Sequence, residues 1–421
     1  MNLDRLVAGL DIGSAKTTAI IAEVVGDLPR HPSVNILGVG QARTTGMRRG
    51  VVADIEETMR CITKALADAE QMAGARVENV FCGIAGEHVQ AVTSKGIASV
   101  TGAEISRSDV ERANAVARAQ PIAQDRELIH AIPQEYTVDR NLGIRDPLGM
   151  IGTRLETEMY LVTIGSSPAM NLRKSVERAG YRVQELVLEP LAAAISVLTE
   201  DEKELGVALV EVGAGTTDLA IFHEGKIRHL GTIGYGGNNV SSDIVHGLGV
   251  TQTDAERLKE AYGCAYEPMV AHGDVIRLPS TVAQGDRQIP RELLAHIIHQ
   301  RTSEIYELAV RDIEEAGYLK RLAAGVVITG GVAAMPGMAE LANEVFGVGA
   351  RIGMPGEFLG GLADSVQAPR FATAVGLVQY GAGRVAQGML VGKGKRLSLS
   401  GSTPNFDGLA GRVKTWLQDF F

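Results

Sequence analysis

The sequence predicts an α/β protein built from two copies of one strand-rich unit that face each other across a ligand cleft. Strand and helix patterns alternate along most of the chain. The segment LVAGLDIGSAKTTAIIAEV (6–24) has a counterpart in VALVEVGAGTTDLAIFHE (207–224), and an offset of 200 lays Asp11 on Glu211, Gly13 on Gly213 and Thr17 on Thr217. Each copy reads as strand, acidic residue, glycine turn and second strand, then a third strand (34–40 and 227–234) and a helix-like run. This is a duplicated βββα unit, not a short-period solenoid. Two such units usually hold ligand in the cleft between them.

The elements follow in order. After the hairpin at 6–24 comes a short strand at 34–39. Ile55, Met59, Ile62, Leu66 and Ala69 recur at helical spacing over 53–73, and 77–84 returns to strand. Residues 86–160 differ in texture: a helix near 108–120 with Ser108 as its cap, an extended piece at 132–139 and a turn-rich stretch at 145–152. They read as an inserted subdomain. Strand resumes at 159–164 and helix at 168–179, and a strand at 186–188 feeds a helix at 190–198. The second unit begins at 207. Helices are expected at 238–262, 291–317 and 336–346, a strand at 325–331 ending in a double glycine, and a glycine-dotted helix at 372–383. From Arg384 to Pro404 periodicity gives way to a Gly/Ser/Lys-rich linker. The expected division is 1–86 with 161–190, the insert 87–160, 191–234 with 302–384, 235–301, a linker 385–404 and a tail 405–421.

Composition narrows the function. A chain of 421 residues suits two to four domains. Its 45% apolar and 22% charged residues are ordinary for a globular protein. Fifty glycines with no Gly-X-Y period point to many tight turns. A net charge of −9 argues against a nucleic-acid partner. Three scattered cysteines and no C-x-x-C argue against a disulfide scaffold or a structural zinc site and suit a reducing cytoplasm. The first nine residues do not read as a signal peptide, and no run of 18 apolar residues suggests a membrane span.

The two hairpins carry the chemistry. A turn rich in Gly, Ser and Thr offers backbone N–H groups and hydroxyls to an anion. A carboxylate ending the preceding strand, Asp11 or Glu211, can hold Mg2+ through water, since magnesium dehydrates reluctantly. Two hairpins from opposite sides would clamp a polyphosphate and its metal; the plainer reading is two ordinary β-turns. No G-x-x-x-x-G-K-[ST], strict G-x-G-x-x-G, G-x-S-x-G or H-E-x-x-H occurs. His296 and His299 stand three apart and read as ordinary surface or packing histidines.

LDIGSAKT (10–17), VEVGAGTTD (210–218), VVITGGVAAMPGM (326–338) and ATAVGLVQYG (372–381) resemble, in that order, the phosphate-1, phosphate-2, adenosine and second connecting motifs of the actin, Hsp70 and sugar-kinase superfamily. Within it, HAIPQEYTVD (130–139), the insert, SVLTEDEKELGV (196–207), GGNNVSSDI (236–244), RIGMP (351–355) and the tail are similar to the FtsA family of bacterial cell-division proteins. The resemblance implies an actin-like fold: two ribonuclease-H-like halves around a nucleotide cleft, with an inserted subdomain of FtsA type. It implies ATP and Mg2+ as cofactors. Asp11, Gly13, Ser14, Lys16 and Thr17 would face the nucleotide from one side, and Glu211, Gly213, Gly215, Thr216, Thr217, Gly236, Gly237 and Asn238 from the other. Glu256 and Lys259 would flank adenine and ribose, and Gly330 and Gly331 would admit close backbone approach. Asp11 and Glu211 would hold the metal through water. Lys16 lies closer to its acid than the phosphate lysine of actin does.

Asp218 sits where the superfamily often keeps an acid near the γ-phosphate, and Glu189 where Hsp70-like members place a water-positioning Glu. These two are the candidate catalytic residues. Many members of the FtsA family lack an acid at the second place, and Glu211 replaces a commoner Asp, so slow hydrolysis is expected. The implied role is a cytoskeletal adaptor and not a metabolic enzyme. It would polymerise on the inner face of the cytoplasmic membrane at the division septum. It would tether FtsZ filaments through the smaller subdomain of the second half, about 235–301, and meet later division proteins. The rivals are a small-molecule kinase of the superfamily, which would need a substrate base and no amphipathic tail, and an Hsp70-like chaperone, which would need a peptide-binding domain beyond residue 383.

The tail is readable from its spacing. At 100° per residue, Phe406, Leu409, Val413, Trp416, Leu417, Phe420 and Phe421 fall within one arc of about 140°. Arg412 and Lys414 stand at its two edges, where they can reach lipid phosphates while the apolar face enters inner-membrane lipid. The alternative is a helix docked on the protein's own core. Gly408 and Gly411 should keep the segment poorly helical in water, each at about 1 kcal/mol relative to Ala.

Overall fold

A computed structural model describes residues 5–25, 32–278 and 287–386. Its frame is a pair of mixed sheets. The first runs, by hydrogen-bonded neighbours, Leu359–Gly361, Ser33–Arg43, Lys16–Val25, Leu6–Ile12, Asn79–Ile84 and Arg182–Leu188. The second runs Lys226–Ile233, Thr217–His223, Val207–Val212, Val326–Thr329 and Ala350–Ile352. The duplication extends to register. Val7 faces Ala22 and Ile12 faces Thr17, just as Val207 faces Phe222 and Val212 faces Thr217. The central strands are apolar on both faces because helices cover both sides.

Two helices lie between the sheets, Glu189–Val197 and Ala372–Ala386, and both are buried nearly all round. They cross so closely that a Cβ at Gly376 would sit 1.7 Å from the Ala192 carbonyl oxygen. Gly9 meets the second helix the same way, with its notional Cβ 2.8 Å from the Ala374 carbonyl oxygen. Glycine at these two positions lets backbone touch backbone and brings both helix N-termini to the cleft.

The insert is a four-stranded sheet, in order Gln90–Ser99, Arg154–Gly165, Arg126–Val138 and Asn141–Ile144, backed by the helix Arg107–Arg118. The strand Arg154–Gly165 runs unbroken from the insert into the body, so the expected boundary at 160/161 falls inside one strand. The helix starts earlier than 108 because Ser106, not Ser108, caps it: Ser106 and Asp109 form a reciprocal capping box. The single helix expected at 238–262 is two, Gly237–Leu248 and Gln252–Tyr262. Gly249 ends the first at φ 64° and Thr251 caps the second. The last helix outruns residue 383: Arg384 stays within it, its Nη2 donating to Glu185 Oε2 at 2.6 Å. Residues 387–421 lie outside the described residues, and with them most of the linker and every residue assigned to membrane contact. Among the described residues no helix is long and apolar enough to cross a membrane.

His130 joins the insert to the body. The Leu188 N–H donates to its Nε2 at 3.0 Å, so that nitrogen carries no proton. Burial, aided by the Arg384 charge, pushes its pKa down to about 3. A histidine depressed in this way contributes stability above about pH 6.5, and that contribution is lost as pH falls toward 3. At pH 5.5 the loss should be about 1.4 kcal/mol. The buried acids described below shift stability in the opposite sense, so the informative quantity is the difference between wild type and His130→Gln. Unfolding free energies of the two proteins from urea titrations should converge by that amount between pH 7.5 and 5.5; a difference independent of pH would contradict a neutral buried His130.

Candidate functional site

Both hairpin turns close in the same way. The Gly13 N–H donates to the Lys16 carbonyl at 3.1 Å, and the Gly213 N–H to the Thr216 carbonyl at 2.9 Å. The turns meet across the cleft: a Cβ at Gly215 would lie 2.5 Å from Ser14 Oγ and 3.2 Å from Arg49 Cα. Ser14 Oγ also accepts from the Gly50 N–H at 3.4 Å. Lys16 is exposed at the start of its strand.

Four carboxylates converge behind the turns. Burial pushes Asp11 up to about 7, Glu211 to about 8 and Asp218 to about 6. Burial also raises Glu189 well above the usual carboxylate range, reinforced by the charges of Asp11, Glu211 and Asp218. The charges of Asp11 and Asp218 also raise Glu211, and four buried acids gathered at one cleft form a site that favours cations. They are held differently. Asp218 is satisfied twice, accepting from Thr216 Oγ1 at 2.9 Å and Thr232 Oγ1 at 2.7 Å. Glu189 begins its helix and lies against Gly83, where a Cβ would sit 3.1 Å from its Oε1. Glu211 accepts from Thr373 Oγ1 on one oxygen, while its buried Oε2 has no partner.

The hydroxyls of Thr17 and Thr217 are engaged within the protein. Thr17 Oγ1 pairs with Thr44 Oγ1 at 2.8 Å, and Thr217 Oγ1 donates to the Tyr235 carbonyl at 2.9 Å. Both residues are fully buried. Both stand beside the turns, as expected, and their hydroxyls brace them. The N–H groups of Gly237 and Asn238 are likewise used, donating to the carbonyls of Gly213 and Ala214 at 2.9 and 2.8 Å. This packs the N-terminus of the helix Gly237–Leu248 onto the second turn.

The remaining candidates gather beside it. Lys259 Nζ donates to the Gly237 carbonyl at 3.1 Å, to Ser241 Oγ at 2.8 Å and to Glu256 Oε2 at 2.9 Å. A Cβ at Gly237 would lie 2.8 Å from Val332 Cγ2, next to the double glycine. Gly330 needs its glycine: φ is 90° and a Cβ would sit 2.6 Å from the Val212 carbonyl oxygen. At Gly331 a Cβ would meet nothing within 4 Å, so its face is open. His296 and His299 are structural, paired with Glu267 and the Ala265 carbonyl.

These residues fit a metal–polyphosphate. The unpartnered Glu211 Oε2 and the raised acids want a cation, and the open face at Gly331 admits a group of some size. Among the described residues no group of three His, Cys, Asp or Glu side chains is placed to hold a metal ion by itself. Sequence reading missed Thr373, Thr232, Thr44 and Ser241, the hydroxyls that fix the acids and turns. Thr373 was the polar residue in an otherwise apolar motif start, ATAV, and Ser241 the one in GGNNVSS that sits a turn from the glycines.

Known proteins match the chain along its length. Residues 208–376 match the family model "Cell division protein FtsA", and residues 86–163 match "SHS2 domain inserted in FTSA". The chain is 38% identical to cell division protein FtsA of Pseudomonas aeruginosa, over 99% of this chain and 98% of that one. It is 37% identical to the Neisseria meningitidis protein of the same name, over 99% of each. A solved type IV pilus biogenesis complex, PilM–PilN, shares the fold with a TM-score of 0.63 at 17% identity, covering 89% of this chain and 98% of that one. The duplicated sheets are thus an actin-like fold carrying the SHS2 insert. With identity of this level sustained from end to end, the chain belongs to the FtsA family of cell-division proteins.

Proposed function

We propose that this chain binds ATP with Mg2+ in the cleft between its two halves and polymerises on the inner face of the cytoplasmic membrane. There it anchors FtsZ filaments at the division site. The observation that carries the reading is the pair of register-matched hairpins that direct Asp11 and Glu211, with Glu189 and Asp218, at one cleft. Gly13, Ser14, Lys16, Gly213, Gly215 and Thr216 supply the turns around the phosphates. Gly237, Glu256, Lys259 and Gly331 form the side that would take the nucleoside. Mg2+, when bound, would neutralise phosphate charge, and Asp11 and Glu211 would hold it through its waters. The FtsZ contact falls to the subdomain around 235–301, and the lipid contact to the tail.

Hydrolysis is expected to be slow, because Asp218 is tied up by two threonines and Glu189 shares its charge environment with three other acids. Steady-state ATP turnover should lie well below about 1 s⁻¹, the low end of ordinary enzyme rates. A faster rate, or phosphate transfer to a small hydroxyl compound, would favour a superfamily kinase over an adaptor.

A further inference from the structure

The geometry points to Thr373 as a positioning residue that aims the Glu211 carboxylate at the metal–phosphate site. This rests on the nucleotide-binding reading above and assigns a role within it. Thr373 is 3% exposed and stands in the first turn of the helix Ala372–Ala386. Its Oγ1 donates to Glu211 Oε1, and Glu211 Oε2 is buried without a partner. One oxygen is therefore held by the protein and the other is left for something outside it.

Thr373 is well placed to hold a carboxylate still. Ser196 Oγ donates to the Ala372 carbonyl at 2.7 Å, and Thr329 Oγ1 to the Pro369 carbonyl at 3.3 Å. Gly376 locks the same helix against Ala192. The hydroxyl thus sits on an anchored helix start, 162 residues along the chain from the acid it holds. A glutamate has one more rotatable bond than aspartate, and an unrestrained one spreads over more rotamers. A fixed donor on Oε1 selects one of them. In other sites an outer partner that orients a metal-binding carboxylate typically changes metal affinity 10–100-fold. The contact is made by a glutamate, one methylene longer than the aspartate at the matching position of the first hairpin, Asp11.

The test is calorimetric ATP binding by the full chain across a Mg2+ series, and in EDTA. For Thr373→Val the Mg2+ concentration giving half-maximal enhancement of ATP affinity should rise about tenfold. Affinity in EDTA should stay within about twofold, and Thr373→Ser should restore the wild-type Mg2+ response. In a Glu211→Asp background the shorter acid does not reach the hydroxyl, so adding Thr373→Val should change nothing further. If Val does not fold, Thr373→Ala carries the same comparison. Three results overturn the proposal: a wild-type Mg2+ response in the Val variant, an equal loss with and without Mg2+, or an undiminished Val effect in the Asp background. A wild-type protein whose ATP affinity ignores Mg2+ would overturn the nucleotide–metal reading as well.

Discussion

Asp11→Ala should abolish ATP binding: in calorimetric titrations at millimolar Mg2+, Kd is expected to rise at least about 100-fold, or roughly 2.7 kcal/mol. The loss should not come from unfolding. Burial raises the Asp11 carboxyl from 3.8 to about 7. An acid raised in this way costs folding stability as pH climbs from its unfolded value through its folded one, from about 4 to about 7. Replacing it with Ala removes that cost, so nucleotide-free Asp11→Ala should melt at or above the wild-type temperature at pH 7.5. Gly331→Leu approaches the same site from the other side. Its Cβ meets open space, so the fold should tolerate it while the side chain fills the nucleotide face. Gly330→Leu is the control that should misfold, because its φ of 90° and the Val212 carbonyl both forbid a side chain. If Asp11→Ala and Gly331→Leu both bind ATP like wild type, the cleft is misassigned.

The hairpins were legible because each combines β-branched apolar strands with an acid and glycines at fixed spacing, and the offset of 200 carries through to the paired register. Asp11 and Glu211 were legible for the same reason, whereas Asp218 and Glu189 came only from the resemblance to the superfamily's motifs. The hydroxyls that hold the acids were not legible. Thr373 and Thr232 contact Glu211 and Asp218 only once the chain has folded, and threonine in a strand or helix carries no local sign of so distant a partner. Thr17 and Thr217 show the converse case. Their place in the turn suggested ligand contact, yet burial spends their hydroxyls on Thr44 and Tyr235. The helix at 238–262 split because Gly249 and Thr251 form a stop and a start two residues apart, a local signal that the overall periodicity masked.

Trp416→Glu should remove membrane attachment and leave ATP binding intact. Fully burying one large apolar side chain is worth about 1.5–3 kcal/mol, so seven half-buried in the lipid interface give on the order of 5–10 kcal/mol before costs. Ordering the segment into a helix costs backbone entropy that offsets much of this gain. A single tail is therefore expected to anchor weakly and reversibly, and firm attachment to need many tails on one polymer. A glutamate at the centre of the apolar arc puts a charge where lipid must go and defeats even the summed effect.

Co-sedimentation with anionic vesicles, with and without ATP, puts ATP-driven assembly and membrane anchoring to one test. The expected result is weak pelleting of wild type without ATP, strong pelleting with it, and no vesicle-dependent pelleting of Trp416→Glu in either condition. Pelleting of Trp416→Glu at the wild-type level, or wild-type binding that ATP does not change, would contradict the account.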